Sequence, residues 1–413
     1  MILRVLCVAA AAAYAAAAAF QFYGDWLLSR PSHENLSRGV RWHSGNSQFW
    51  TAYGRYWLFA PDGTQPDKAV EAYRRAIGLN PFNPASWDGL ATAYLQLADQ
   101  PKAEAALRGA VAVLPHSPRA GWRLANFLLL QGRHREALPA LRVAAAADRN
   151  LRAVVFDLGW KILGDPADVL RQLVPVEPEA RADYLTFLMG RGKLVEAYDV
   201  WREIHGWVAA TGSRLGYNYT EALAWAGRGQ EAARVWEQLQ ADLGLSVPKP
   251  EGELICNGDF ETEIQNAGLD WHLDSGAGWK ISLDNFVLQN ASRSLRVAFE
   301  GTANPDFAAV WQLVPVEPNQ QHLFRGYLKT DSITTDQGVF FEVRATGVPA
   351  QESFILSTPV RTGTNPWTEE RLAFRTGPNT RVVALYLRRR VSSKFNNKIQ
   401  GKVWIDNLSI QKQ

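Results

Sequence analysis

Residues 84–117 read PASWDGLATAYLQLADQPKAEAALRGAVAVLPHS, and this stretch constrains the fold more than any other. Trp87, Leu90, Ala91 and Tyr94 recur at helical spacing. A second run puts Ala103, Leu107 and Ala110 on one helix face, and Pro115 closes it. Large residues on the first helix face small ones on the second, so two antiparallel helices can approach closely. Such a unit cannot bury its apolar face alone, so copies should flank it.

Upstream, Ala69, Tyr73, Ala76 and Pro81 repeat the second helix one period earlier. Trp50, Tyr53, Gly54 and Trp57 repeat the first, with a short insertion at residues 60–66. Downstream, Leu124, Ala125, Leu128, Ala137, Leu141 and Ala144 continue the phase. Residues 152–163 read as a helix, and residues 165–178 are short and Pro-rich. Gly132, Gly192 and Gly227 each precede a Glu-Ala pair at one spacing (Glu136-Ala137, Glu196-Ala197, Glu231-Ala232). Each Gly should end a first helix, and each Glu-Ala pair should open the packing face of a second. Residues 33–42 read as the second helix of a leading half-repeat, with Gly39 in the small position and Trp42 in the bulky one.

The period of ~34 residues, with its Trp, Leu-small pair, Tyr, two Ala and terminal Pro, resembles the tetratricopeptide repeat (TPR) family. That resemblance implies an α-solenoid of roughly five to six helix pairs over residues 33–245, with a groove able to take a protein partner. At one recurring Asn site of the chaperone-binding members stand Ala52, Gly89 and Arg123, so chaperone-tail recognition is not expected.

Residues 1–23 precede this array. Arg4 is followed by an Ala-rich apolar run through Phe20, then Phe22, Tyr23 and Trp26. The segment reads as a cleaved signal peptide or a retained membrane anchor, near the ~20 residues a span needs. The aromatic residues just past the run favour retention. Either way the bulk of the chain is expected outside the cytoplasm, in the cell envelope.

Residues 246–252 (SVPKPEG) form a Pro/Gly linker, after which the text changes to alternation punctuated by Asn, Gly, Asp and Pro. Residues 294–299, 323–329, 339–345 and 382–387 alternate as strands do, so residues 253–413 should form a β-sandwich. The chain is thus multidomain: an N-terminal α-solenoid of TPR helix pairs followed by an all-β jelly-roll sandwich.

Net charge is +3 over 413 residues, without the basic stripe of a nucleic-acid binder. The longest basic run, Arg388-Arg389-Arg390, reads as a solvated strand end. The two cysteines, Cys7 and Cys256, are not expected to pair, and the seven histidines are scattered. The sequence holds no P-loop, GxGxxG after a strand, GxSxG or HExxH, so no enzyme activity is expected.

The C-terminal half opens on NGDFE (Asn257 to Glu261) and closes on IDNLSI (Ile405 to Ile410), with Trp271, Trp311-Gln312 and Trp367 between. In this order the motifs resemble the family 4/9-type carbohydrate-binding modules, which are jelly rolls. Asn319 departs from that family's Pro-Gly turn, and His322 and Gly326 replace its usual Tyr and Phe. The resemblance implies a structural Ca²⁺ held by Glu261 and Asp406 with backbone carbonyls. The alternative is a turn hydrogen bond at Asp406 and a surface ion pair at Glu261.

Sugar sites combine aromatic faces with fixed polar groups. Alternation collects Arg325, Tyr327, Phe340, Glu342, Arg344, Tyr386 and Arg388 on one phase, with Gln312, as a candidate glycan-binding face. The alternative is an ordinary solvated sheet. Trp271, Trp367 and Trp404 are assigned to the core. Two functions compete: an envelope accessory protein that binds a protein partner and a glycan, as in exopolysaccharide assembly or export, and a purely structural scaffold.

Overall fold

The computed structural model describes residues 2–60, 63–245 and 250–413. Residues 61 and 62 of the insertion, residues 246–249 of the linker, Met1 and the Arg4 side chain lie outside the described residues. The chain divides into two compact units, Met1–Phe187 and Leu188–Gln413.

The first unit is helical. It holds α1 (Ile2–Ser29), α2 (His33–Trp42), α3 (Ser47–Phe59), α4 (Pro66–Leu79), α5 (Pro84–Gln96), α6 (Gln100–Val113), α7 (Pro118–Leu130), α8 (His134–Ala147), α9 (Arg149–Leu163) and α10 (Pro166–Gln172). The division between units falls inside α11 (Pro178–Gly190). The helices pack as consecutive pairs, α3 with α4, α5 with α6, α7 with α8 and α9 with α10.

Local chemistry sets the helix starts. Asn83, Ser117 and Asp99 cap α5, α7 and α6 by accepting the backbone N–H of Ala85, Ala120 and Lys102. Pro follows within two residues in each, where its missing N–H costs nothing. Gly132, Gly192 and Gly227 all take left-handed backbone (φ +71°, +69° and +73°), as their spacing predicts. The small residues of the second helices, Ala69, Ala76, Ala103, Ala110, Ala137 and Ala144, are all buried. Trp42 departs from expectation: it is exposed, and the bulky contact on α2 is made by Phe49 against Gly39.

A polar spine links the first helices of successive pairs. Thr51 bonds Ser86 at 2.8 Å, Asp88 holds Arg119 and lies 3.6 Å from Arg123, and Arg123 donates to Thr92 at 3.1 Å. Arg149 and Arg152 both pair with Asp183, at 2.8 and 2.7 Å. In α1, Leu6–Ser29 is long and apolar enough to cross a membrane. Near its end Leu27 is buried and Phe20 stacks on His43 at 4.0 Å.

Among the described residues the second unit holds α12 (Ala197–Thr211), α13 (Arg214–Trp225), α14 (Gly229–Leu243) and ten strands. These are β1 (His272–Leu273), β2 (Trp279–Asp284), β3 (Ser294–Glu300), β4 (Phe307–Pro315), β5 (Gln321–Ile333), β6 (Phe340–Thr346), β7 (Ile355–Ser357), β8 (Gly363–Arg375), β9 (Val382–Arg389) and β10 (Gln400–Lys412). They form two antiparallel five-stranded sheets, β2-β3-β10-β5-β8 and β1-β4-β9-β6-β7. β3 pairs with β10, β4 with β9, β5 with β8 and β6 with β7. That nesting is a long hairpin rolled up, which is a jelly roll. Phe260, Trp271, Val297, Phe324, Phe341, Leu385 and Ile405 are among the side chains filling the core between the sheets. Trp271 lies in this core, whereas Trp404 is buried outside it and Trp367 is half-buried.

α13 and α14 dock on the sandwich and belong to the same unit. Gln240 and Gln265 exchange amide hydrogen bonds at 3.1 and 2.7 Å, and Tyr217 Oη donates to Gln265 at 2.8 Å. Glu221 accepts the Gly268 N–H at 2.8 Å. Gly227 and Gly347 face each other backbone to backbone; a methyl on Gly227 would sit 2.5 Å from the Gly347 carbonyl oxygen. Only glycine on both sides permits that approach.

Candidate functional site

The outer face of the β1-β4-β9-β6-β7 sheet carries a ladder of rings. The register sets His272 opposite Trp311, Trp311 opposite Tyr386, and Tyr386 opposite Glu342. Neighbouring strands lie ~4.8 Å apart, so side chains in one such row touch. His272 stacks on Trp311 with centroids 3.8 Å apart, and Trp311 lies 6.3 Å from Tyr386. The Arg344 guanidinium sits over the Tyr386 ring at 4.9 Å. Trp311 Nε1 donates to Asp274 Oδ2 at 3.0 Å, which fixes the indole. Trp225, at the end of α13, lies 5.7 Å from Trp311 and is 44% exposed.

The row ends on β6 with Glu342, only 2% exposed. A buried carboxylate needs paired cations to offset its lost hydration. Glu342 has three: Arg344 in direct contact, and Arg388 and Arg390 at 3.6 Å. Arg388 is itself buried, donating to Asp306 Oδ1 at 2.9 Å and to the Phe307 carbonyl at 3.1 Å. Arg390 lies over Phe340 at 5.3 Å. The Arg344 and Arg390 side chains remain 33% and 59% exposed. Burial pushes the Tyr386 phenol up, against the opposing pull of Arg344 and Arg388, so it stays a protonated donor at neutral pH. The face therefore offers solvent guanidinium N–H groups, a phenol O–H and aromatic surface; the Glu342 carboxylate is hidden, while those of Asp274 and Asp306 stay exposed at its margin.

Five of the sequence-derived residues, Phe340, Glu342, Arg344, Tyr386 and Arg388, come together here. Three do not. Gln312 points the other way: it is fully buried, accepts the Cys256 N–H at 3.0 Å and donates to the Cys256 carbonyl at 2.8 Å. Its amide fastens the opening segment of the domain to β4. Arg325 and Tyr327 lie on β5, in the opposite sheet. Alternation sorts the two faces of one strand, but it does not say which sheet receives the strand, and the jelly roll sends β5 and β6 to different ones. Trp311, His272, Asp274, Arg390 and Trp225 belong to the site and were not collected by that reading. Trp311 adjoins Gln312, so a one-residue shift of phase on β4 would have found it.

Glu261 and Asp406 meet on one loop. Glu261 accepts the Ser292 N–H at 2.8 Å, the Arg293 N–H at 2.7 Å and the Ser292 hydroxyl. Asp406 accepts the N–H groups of Gln289, Asn290 and Asn407 at 3.1, 3.3 and 2.7 Å. Burial raises the Asp406 carboxyl against those N–H groups, and the Glu261 charge adds to the rise. Burial also acts on Glu261, but the Ser292 and Arg293 hydrogen bonds hold it below its usual value. A hard cation fits this pair: both are oxygen donors, each carboxylate keeps one oxygen with a single hydrogen bond, and a cation would relieve their repulsion. Among the described residues no third His, Cys, Asp or Glu joins them, so other ligands would be main-chain oxygens or water.

A cavity of about 760 Å³ lies between α14 and the segment opening the sandwich, walled in part by Trp236, Gln240, Leu254, Asn257 and Leu408. Among the described residues its wall contains no Lys or Arg. Three of its carboxylates serve the fold: Glu253 accepts the N–H groups of Ile255 and Ile410, Asp270 that of Gln265, and Glu261 the loop just described.

No family model and no curated protein matches this chain. Among solved structures, it is similar to the CBM22-1 xylan-binding domain of Paenibacillus barcinonensis Xyn10C, at 13% identity and TM-score 0.28, covering 40% of this chain and 97% of that one. It is similar to a family 16 carbohydrate-binding module at 16% identity and TM-score 0.27, over 38% of this chain and 98% of that one. It is also similar to a MamA mutant at 24% identity and TM-score 0.23, over 28% of this chain and 65% of that one.

Proposed function

We propose that this chain is a non-catalytic accessory protein of the cell envelope whose sandwich binds glycan and whose helical array docks a protein partner. The ring ladder His272–Trp311–Tyr386 capped by Arg344 carries the reading. Ring surface beside solvent-facing guanidinium groups suits the apolar face and the hydroxyls of a pyranose. The helix pairs are TPR-like in period, and their polar spine leaves Arg119 and Arg123 exposed as contacts for the partner. α1 is the membrane anchor. Glu261 and Asp406 would hold a Ca²⁺ ion, whose charge would offset theirs and steady the 289–293 loop, away from the sugar contacts. The role fits polysaccharide assembly or export.

Affinity electrophoresis of the full chain through gels containing soluble polysaccharides tests the glycan reading. The wild type should be retarded by at least one polysaccharide, and Tyr386→Ala should run as in a blank gel. Equal retardation of the two would move the site elsewhere, and no retardation in any polysaccharide would end the reading.

A further inference from the structure

We propose that the glycan site is composite and selects acidic polysaccharide: Trp225, supplied by helix α13, stacks on a pyranose, and Arg344 and Arg390 bind its carboxylate groups. This rests on the glycan reading above and goes beyond it in two respects, a contribution from outside the sandwich and a ligand class.

The first respect follows from exposure and attachment. Of the other indoles on α12, α13 and α14, Trp201 and Trp236 are buried as packing residues and Trp207 is half-buried. Trp225 touches Trp311 with part of its surface yet keeps 44% of its area open to solvent. It is the one exposed ring of the cluster, since Trp311 and Tyr386 are half-buried and His272 is buried. Its position is fixed rather than loose. The Gly227–Gly347 contact, the Glu221 bond to the Gly268 N–H and the paired amides of Gln240 and Gln265 hold α13 and α14 against the sandwich. A ring carried on a helix held this way binds at less cost of ordering than one on a free loop.

The second follows from what is hidden. Arg344 and Arg390 compensate Glu342, but that carboxylate is 2% exposed, so a ligand meets the guanidinium groups and not their counter-ion. A guanidinium has five donors in a fork that matches a carboxylate, and Glu342 engages only part of each. Two exposed carboxylates border the face: Asp274, which accepts from Trp311 at the other end of the ladder, and Asp306, 60% exposed and paired with the buried Arg388; neither pairs with Arg344 or Arg390. From His272 to Glu342 the row crosses four strands, ~14 Å at ~4.8 Å per step, room for an oligosaccharide.

The test uses the full chain, with polygalacturonate and alginate as acidic probes and unsubstituted xylan as the neutral one, by affinity electrophoresis and titration calorimetry. The wild type should bind an acidic probe at least ten-fold more tightly than xylan, and more weakly as salt rises. Trp225→Ala should weaken that binding at least ten-fold, and Trp225→Phe should restore most of it. Arg390→Gln, which leaves the buried Glu342 its Arg344 and Arg388 partners, should erase the preference for acidic probes. If Trp225→Ala binds like wild type while Tyr386→Ala does not, the sandwich acts alone and the composite site is overturned, although the glycan reading stands. If xylan binds as tightly as the acidic probes, or Arg390→Gln keeps the preference, the acidic class is overturned. Loss of all binding in the wild type overturns both readings together.

Discussion

The fully buried guanidinium of Arg389 donates to Asn304 Oδ1 at 2.6 Å. The same group also donates to the carbonyls of Pro305, Asn397 and Gln337, at 2.7, 2.9 and 3.3 Å. One side chain thus ties together three loops at one end of the sandwich, those leading into β4, β6 and β10. Read as sequence, Arg388-Arg389-Arg390 is a solvated strand end. In the fold only Arg390 is exposed, because carbonyl oxygens of these loops replace water around Arg389.

Replacing Arg389 with Leu should therefore be costly. It strands several buried acceptors at once, each worth ~1–3 kcal/mol when left unpaired. The expected loss is about 3 kcal/mol or more, read as a lower denaturation midpoint with unchanged helical signal in the first unit. A midpoint within error of wild type would show that the three loops hold themselves.

Ala98 occupies, in the α5–α6 turn, the left-handed position that Gly132 occupies in the α7–α8 turn (φ +57° and +71°). A Cβ there costs ~1–2 kcal/mol, and glycine returns part of the gain through its freer unfolded chain. Ala98→Gly should stabilise the protein by up to ~1 kcal/mol, and Gly132→Ala should destabilise it by a similar amount. Thermal melts of the two variants should move in opposite directions.

His322 is buried against Phe374, with ring centroids 5.3 Å apart. Burial holds its pKa below the ordinary 6.5, outweighing the opposing influence of the Gln320 backbone and of Glu317. The unfolded chain then binds the proton first. The stability that neutral His322 permits is fully present above about pH 6.5 and falls as pH drops below it, towards the lower folded value. Melting temperatures of His322→Phe should change less than those of wild type between pH 7 and pH 5. Parallel curves would remove His322 from the acid response.

The Glu261–Asp406 pair makes a metal prediction. An ion that binds only the folded domain at ~100-fold excess over Kd adds about 2.7 kcal/mol of stability. Chelator should lower the melting temperature of the full chain, millimolar calcium should raise it again, and Asp406→Ala should abolish both effects. Identical melting of the wild type in chelator and in calcium would leave the two carboxylates as anchors of the 289–293 loop alone.

How much was legible in the sequence depends on the distance over which each feature is decided. Helix pairs are local. Their left-handed glycines and small-residue faces are fixed by neighbours within a turn or two, so Gly132 and Ala110 could be placed from spacing alone. Strand phase is local as well, which is why Phe340, Glu342, Arg344, Tyr386 and Arg388 could be grouped. Sheet membership is not local. It is set by pairing across more than a hundred residues, as between β3 and β10, and this put Arg325 and Tyr327 on the far sheet and brought Trp225 to the near one. The heptapeptide QLVPVEP makes the point within one chain. At residues 172–178 it ends a short helix and turns; at residues 312–318 it begins as buried strand, with its Gln bonded to Cys256. The residues are the same in both places. What differs is the partner: the second copy meets β9 and the opening segment of the sandwich, whose hydrogen bonds and apolar contacts select an extended backbone that local preference leaves open.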